Sequence, residues 1–281
     1  MNYQWYPGHM TKAMRMMQED IKLIDLVIEL IDARIPYSSR NPDIDKLSSG
    51  KGRLVLMNKS DLADPKGNRV WLSCFRERGV IAVEMDSRSR AGMKSIQAAV
   101  NEACREKRER DRRRGIQNRP IRAMVVGIPN VGKSTFINSY AGKACAKTGN
   151  KPGVTKGKQW IRLSKDLELL DTPGILWPKF EDQEVGMRLA FIGSINDHIL
   201  VEEELALDLI RFLNTRYPSA IQERYHTDRE ITEPVQILEN IARIRGCYKK
   251  GQEVDYSRAA SILLDDFRSG RLGRITVELP S

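Results

Sequence analysis

The stretch from Gly127 to Thr135 contains the residue types that can hold a phosphate group. Its sequence is GIPNVGKST, in which a glycine at each end of the loop is followed by Lys133 and the hydroxyl of Ser134. In this pattern the glycines let backbone N–H groups surround a phosphate, the lysine reaches the β- and γ-phosphates, and the hydroxyl can ligate magnesium. An ordinary glycine-containing turn is the alternative, so other motifs must support a nucleotide site. The predicted binding residues of this phosphate loop are Pro129, Asn130, Val131, Gly132, Lys133, Ser134 and Thr135.

A second group of residues has the chemistry needed to read a purine base. Asn58, Lys59 and Asp61 belong to the sequence NKSD, which directly follows an apolar run. The Asp61 carboxylate can accept hydrogen bonds from N1–H and the exocyclic amine of guanine, a donor pair that adenine lacks. Taken alone, NKSD is also compatible with an exposed turn before a helix. Because the same chain also contains a phosphate loop, the NKSD sequence predicts GTP or GDP as the ligand.

Three further positions are predicted to contact guanine from a neighbouring loop: Asp86, Ser87 and Arg88. They follow the next apolar run, where GTPases usually have Ser-Ala-Lys, which offers a backbone N–H to guanine O6. The match is partial. The sequence therefore places this loop at the base but leaves the individual contacts open.

Two motifs after the phosphate loop predict a magnesium site. Thr155, in a Gly- and Lys-rich loop, is the natural second hydroxyl ligand beside Ser134. Asp171 begins the sequence DTPG and is expected to face the metal through water, while the Gly174 N–H can sense the γ-phosphate. The predicted cofactor is therefore Mg²⁺.

The sequence predicts strands at residues 26–31, 54–57, 80–83, 121–126, 159–163 and 167–170, most of them short apolar runs that precede these motifs. Helix-compatible segments, at 64–78, 92–114 and 134–141, lie between them. This alternation predicts an α/β fold with a mostly parallel sheet, a P-loop GTPase fold. The motifs occur in the order NKSD, DSR, phosphate loop, PGVT, DTPG, whereas an ordinary GTPase has the phosphate loop first. We therefore predict a circularly permuted GTPase domain over residues 1–178.

The chain resembles the ribosome biogenesis GTPase A family, circularly permuted bacterial GTPases that act late in large-subunit assembly. The resemblance rests on the motif order, on YPGHM at the N-terminus, on DARIP at residues 32–36 and on LLDTPGILWPKF at residues 169–180. It implies hydrolysis stimulated by the large ribosomal subunit, a helical domain that binds ribosomal RNA, and potassium-assisted catalysis with Asn130 as the ion's ligand. Ile175 stands where Ras-like proteins have the glutamine that orients water. The family is thought to use an N-terminal histidine instead, so the implied catalytic residues are His9, Asn130 and Lys133.

The distribution of charge suggests a polyanionic partner. The net charge is +10, and residues 1–180 hold 34 Lys and Arg against 19 Asp and Glu. From residue 181 onward the apolar spacing predicts a mainly helical domain, residues 179–281, with helices at 184–192, 203–217, 218–225 and 235–243. Within it, residues 240–275 hold 8 basic and 4 acidic side chains, although a solvated basic face is the alternative to an RNA-binding one. The predicted RNA-binding residues are Arg243, Arg245, Lys249, Lys250, Arg258, Arg268, Arg271 and Arg274.

Composition limits the remaining possibilities. No apolar run approaches a membrane span, and the N-terminus lacks the composition of a signal or transit peptide. We therefore expect a cytoplasmic protein with no membrane partner. The family resemblance implies that it binds the large-subunit precursor and its 23S-type rRNA, and we expect a monomer away from the ribosome. The four cysteines are isolated, which indicates neither a disulfide framework nor a zinc site. Two alternatives stay open: a non-hydrolysing, GTP-gated RNA-binding adaptor, motivated by Ile175, and an ATP-dependent RNA factor, which Asp61 disfavours.

Overall fold

The computed structural model describes residues 17–116, 119–142, 160–170, 182–195, 201–228 and 230–280. Its contacts divide the chain into two compact units. We call them the nucleotide unit, residues 2–181 with 276–281, and the helical unit, residues 182–275. The predicted helical domain extends to residue 281, whereas in the structure the last six residues belong to the nucleotide unit.

Within the described residues, a six-stranded sheet forms the centre of the nucleotide unit. Its strands, in chain order, are β1 (Leu26–Asp32), β2 (Gly52–Asn58), β3 (Ile81–Glu84), β4 (Ile121–Gly127), β5 (Trp160–Ser164) and β6 (Leu167–Leu170). Their spatial order is β3-β2-β1-β4-β6-β5, and only β5 runs antiparallel to its neighbour. Every residue of β1 is buried, which explains why its apolar residues do not alternate with polar ones; the exceptions are two acids, Glu29 and Asp32. The mostly parallel α/β sheet predicted from the sequence is confirmed.

The register of the parallel strands brings several loops to one edge of the sheet. Asp32, at the end of β1, lies opposite Asn58, at the end of β2. On its other side, β1 places Leu30 opposite Gly127, the first residue of the phosphate loop. Because the loops after parallel strands emerge at the carboxyl ends, motifs that are distant in sequence meet at this edge.

The nucleotide unit contains the helices α1 (Asp43–Leu47), α2 (Pro65–Glu77), α3 (Met93–Ala103), α4 (Arg105–Arg113) and α5 (Lys133–Ala141). The single helix predicted at 92–114 is wrong, because α3 and α4 are separated at Cys104. Cys104 is buried. The neighbouring Ala103 carbonyl packs so close to β2 that a Cβ at Gly52 would lie 2.6 Å from the Ala103 oxygen. Helix α3 ends beside this contact, and α4 continues as a helix without buried residues.

The chain returns to the nucleotide unit after residue 275 through a set of long-range hydrogen bonds. Trp71 Nε1, on α2, donates to the Glu278 carbonyl at 2.9 Å. Ser38 donates its N–H and hydroxyl to the buried Glu278 carboxylate at 2.7 and 2.5 Å. Gly67 makes room for this segment, since a Cβ at Gly67 would lie 2.7 Å from Thr276 Oγ1.

The helical unit contains α6 (Gln183–Phe191), α7 (Glu202–Arg216), α8 (Pro218–Tyr225), α9 (Pro234–Ile244) and α10 (Tyr256–Arg268). The first four correspond to the predicted helices, and α10 is an additional one. The core of the helical unit is formed by apolar residues at helical spacing, including Leu209 and Leu213 of α7 and Leu263 of α10. The rings of Phe191 and Phe267 pack edge to face at 6.2 Å. In the described ranges, no helix is both long and apolar enough to cross a bilayer.

Candidate nucleotide-binding site

The phosphate loop connects β4 to α5 and depends on two glycines. A Cβ at Gly127 would lie 2.6 Å from the Leu30 carbonyl oxygen, so β1 and β4 can pair this closely only with glycine there. Gly132 has φ +101°, and its Cβ would meet Asn58 Nδ2 at 2.5 Å. Glycine at 132 therefore permits both the left-handed backbone and the approach of the Asn58 side chain.

Asn58 joins three loops. Its side-chain Nδ2 donates to the Val131 carbonyl of the phosphate loop at 2.7 Å. Its Oδ1 accepts hydrogen bonds from the N–H and the hydroxyl of Ser87, at 3.0 and 2.8 Å. Asn58 is only 2% exposed, so these bonds form away from water. The phosphate loop, NKSD and the Asp86–Arg88 segment thus form one hydrogen-bonded assembly.

The Asp86–Arg88 segment is held by its own aspartate and by α5. Asp86 accepts from the N–H groups of Arg88 and Ser89 at 2.8 and 3.0 Å. Burial alone would raise the pKa of the Asp86 carboxyl, but these hydrogen bonds outweigh it and keep the pKa below its usual value. Ser139 of α5 donates its hydroxyl to the Ser87 carbonyl at 2.7 Å. Ser139 was not predicted, because nothing in the sequence indicates which face of α5 meets this segment.

Lys133 and Ser134 begin α5 beside the loop. Lys133 Nζ donates to the carbonyls of Gly127 and Ile128 at 2.9 and 3.3 Å, which places its ammonium inside the curve of the loop. The N–H groups of the first turn of a helix favour an anion at this end. Asn130 is exposed and has φ +60°. A phosphate chain that follows the loop would therefore meet Lys133, the N-terminus of α5 and the exposed residue Asn130.

The NKSD loop presents Asp61 at the surface. The Ser60 N–H donates to the Met85 carbonyl at 3.1 Å, and Asn68 Nδ2 donates to the Ser60 carbonyl at 3.2 Å. These bonds fix the backbone beside Asp61, whose side chain is exposed. A fixed backbone with an exposed carboxylate suits the recognition of an incoming base.

Lys59 is paired with an acid that was not predicted as a site residue. Its Nζ lies 3.0 Å from Asp32 Oδ2, and Asp32 also binds the guanidinium of Arg34 at 2.8 Å. Burial alone would raise the pKa of Asp32, but the positive charges of Arg34 and Lys59 outweigh it and hold the pKa far below its usual value. For Lys59, burial lowers the pKa and Asp32 counteracts this shift. The DARIP sequence contains both Asp32 and Arg34, but their link to Lys59 depends on the register of β1 with β2.

Four predicted site residues, His9, Thr155, Asp171 and Gly174, lie outside the described residues. Strand β6 ends at Leu170 and runs parallel to β4, with Leu170 opposite Met124. The described chain therefore leads toward DTPG from the same edge of the sheet that holds the phosphate loop.

In the helical unit, the predicted RNA-binding residues fall into two groups. Seven are exposed: Arg243, Arg245, Lys249, Lys250, Arg258, Arg271 and Arg274. Arg268, by contrast, donates to the carbonyls of Phe191 and Ala190 at 3.1 and 2.9 Å and so closes the end of α6. This guanidinium serves the packing of the unit.

A buried acid organises part of this basic surface. Asp266 is 3% exposed and accepts hydrogen bonds from Arg224 at 2.7 Å, from the Tyr225 hydroxyl at 2.9 Å, and from Arg271. Arg245 Nη2 lies 3.4 Å away. Burial alone would raise the pKa of Asp266, but its partners outweigh this and lower it. Three cations around one anion leave this surface with excess positive charge.

Comparison with known proteins identifies the family. A sequence model of the family described as 50S ribosome-binding GTPase matches residues 122–241. The chain is 48% identical to ribosome biogenesis GTPase A of Bacillus cereus, over 99% of this chain and 94% of that protein. It is also 48% identical to ribosome biogenesis GTPase A of Priestia megaterium, over 100% of this chain and 98% of the relative.

A solved structure, GNP-bound YlqF from T. maritima, is similar with a TM-score of 0.69 at 26% identity, covering 96% of this chain and 99% of that one. The geometry at the sheet edge and the sequence identity along the whole length agree. The chain therefore belongs to the ribosome biogenesis GTPase A family.

Proposed function

We propose that this protein hydrolyses GTP and uses its nucleotide state to assist late maturation of the large ribosomal subunit. The observation that carries the proposal is the Asn58 assembly, which joins a phosphate-binding loop to a guanine-reading loop. Loops that bind opposite ends of a nucleotide are thereby held at a fixed spacing. The names of the relatives, ribosome biogenesis GTPase A, supply the biological process.

In this proposal each loop binds a different part of the nucleotide. Asp61 accepts from N1–H and the exocyclic amine of guanine, Lys59 lies along the base, and the Asp86–Arg88 segment contacts the opposite edge. Lys133 and the N-terminus of α5 hold the β- and γ-phosphates. An adenine base would leave Asp61 without partners, which disfavours ATP.

The donor set fits magnesium. Ser134, in the first turn of α5, offers a hydroxyl oxygen, the hard type of ligand that Mg²⁺ prefers, and we propose Thr155 and Asp171 as its companions. When bound, Mg²⁺ would neutralise charge on the phosphate oxygens during hydrolysis. We further propose that Asn130 binds K⁺ and that His9 orients the attacking water.

The helical unit is proposed to bind ribosomal RNA. The seven exposed cations near its C-terminal end support this role, and the buried Asp266 keeps three arginines oriented on the surface. We leave Arg268 out of the proposed surface because its guanidinium is bonded to backbone carbonyls.

Turnover measurements test the proposed enzyme. GTP hydrolysis by the full chain should rise on addition of large ribosomal subunits and should be faster in K⁺ than in Na⁺. Turnover that is absent under every condition would refute hydrolysis and favour the GTP-gated adaptor.

A change of base preference tests the site itself. Asp61→Asn should favour XTP over GTP by at least about 100-fold relative to wild type, because the amide can donate to the oxygen that xanthine has in place of the amine. Asp64→Asn is the matched control, since Asp64 caps α2 by accepting from Lys66 N. If Asp61→Asn retains wild-type selectivity for GTP, Asp61 does not read the base.

A further inference from the structure

Asp32 is a buried carboxylate placed between two cations next to the NKSD loop. It is 0% exposed, and Oδ1 accepts from the N–H and Nε of Arg34 at 3.1 and 2.9 Å. Oδ2 accepts from Arg34 Nη2 at 2.8 Å and lies 3.0 Å from Lys59 Nζ. A single carboxylate therefore holds both a guanidinium and the lysine of the guanine-reading motif.

The backbone around Asp32 makes this placement rigid. Asp32 is paired with Asn58 in the register of β1 and β2, and the Ala33 N–H donates to the Asn58 carbonyl at 2.9 Å. The Asp32 N–H donates to Ser39 Oγ at 3.0 Å. The carboxylate is thus fixed relative to the NKSD backbone, and so is the ammonium that it binds.

The flexible side chain of Lys59 needs an anionic partner such as Asp32 to hold its ammonium in one position. Its four-carbon side chain has many rotamers, and its backbone already has φ +58°, in the left-handed region. The side chain is 22% exposed, so it can reach a ligand while its ammonium stays bound to Asp32. Without Asp32, two cations would face each other in a buried place with no anion between them.

We propose that Asp32 is a positioning residue for guanine-nucleotide binding, which it supports by holding Lys59 in the conformation that lies along the base. Arg34 contributes differently, because its bidentate contact holds the carboxylate in place. The proposal rests on the assignment of Lys59 to the base in the proposed function. It makes DARIP a supporting segment of the guanine-reading loop.

A double-mutant cycle separates this role from a purely structural one. The variants are Asp32→Asn, Lys59→Met and the double variant, and the measurements are the Kd for GDP with Mg²⁺ and the free energy of unfolding. Asp32→Asn should weaken GDP binding by about 10- to 100-fold in the wild-type background. In the Lys59→Met background it should change the Kd by less than about twofold, because the residue through which it acts is gone.

A matched control is available on the same strand. Glu29 is 1% exposed and pairs with Arg40 and Arg53, away from the NKSD loop. Glu29→Gln should lower stability but leave the Kd for GDP within about twofold of wild type. Comparing it with Asp32→Asn shows whether the loss of a buried carboxylate on β1 is by itself enough to weaken binding.

The outcomes distinguish the inference from the function on which it rests. An equal loss of affinity from Asp32→Asn in both backgrounds, or no loss in wild type, would overturn the positioning role. A Lys59→Met variant that binds GDP normally would instead refute the assignment of Lys59. If Asp32→Asn does not fold, Asp32→Glu keeps the charge that Arg34 needs but displaces the carboxylate, and the same coupling with Lys59→Met is expected.

Discussion

Replacing Asn58 with alanine should uncouple the phosphate loop from the base-reading loops. The variant removes one hydrogen bond to the Val131 carbonyl and two from Ser87. Val131 O and Ser87 N are then left in a buried place, and each unsatisfied group costs about 1–3 kcal/mol, or about 2–6 kcal/mol for the two. Movement of the loops would relieve part of this cost, and the same movement would disturb the alignment of the phosphate loop with the NKSD loop. Since about 1.4 kcal/mol corresponds to a tenfold change in affinity, GDP should bind at least about tenfold more weakly.

Equilibrium binding of GDP and denaturant unfolding of the same preparations test this expectation. Ser48→Ala is the control, because Ser48 is buried in the same unit and donates to the Ile44 carbonyl, away from the three loops. It should reduce stability slightly and leave the Kd unchanged. An Asn58→Ala variant that loses stability but binds GDP within twofold of wild type would show that the loops are aligned by other contacts.

Two further predictions concern the helical unit. Asp266→Asn should lower the free energy of unfolding by about 3 kcal/mol at neutral pH, because Arg224 and Arg271 lose a buried charged acceptor. Folding lowers the pKa of Asp266 below its ordinary value of 3.8, so its contribution to stability is present above that value and is lost as the pH falls below it. Wild type but not the variant should lose this increment on acidification. Equal acid dependence of the two proteins would contradict this. Replacing Arg243, Lys249 and Lys250 with glutamine should weaken the salt dependence of ribosomal RNA binding: the slope of log K against log salt concentration should fall by about 2, at roughly 0.7–0.9 per phosphate contact. The control Arg188→Gln, which breaks an ion pair with Glu184, should leave this slope unchanged.

The strands and the phosphate loop could be predicted because their causes are local. A strand that is covered on both faces is mainly apolar, as β1 is apart from Glu29 and Asp32, and a loop that wraps a phosphate needs glycine at fixed positions. The helix α10 was not predicted, although it has the same kind of local signal, with buried apolar residues at 259, 260, 263, 264 and 267.

The remaining features depend on contacts between distant parts of the chain. The pairing of Asp32 with Lys59 follows from the register of two strands, and counting charges cannot show that Arg268 turns inward to the carbonyls of α6. The break at Cys104 lies beside the close approach of the Ala103 carbonyl to Gly52. Neither residue propensities nor sequence spacing specify these contacts, because the two partners of each contact become neighbours only when the whole unit has folded.

The path of the chain gives the helical unit two covalent connections to the nucleotide unit. One follows β6 and the DTPG segment, and the other begins at residue 276. This second segment is anchored beside the guanine-reading loop: the Asp64 N–H donates to Thr276 Oγ1 at 3.0 Å, and the Val277 N–H donates to the Arg34 carbonyl at 2.8 Å. The side chain of Arg34 in turn holds Asp32, which binds Lys59. One connection therefore contains the DTPG motif, which we propose to sense the γ-phosphate, and the other is hydrogen-bonded to Arg34, which holds Asp32 and through it Lys59. If the proposed roles of DTPG and Lys59 hold, both ends of a bound nucleotide are linked through the chain to the unit proposed to bind RNA.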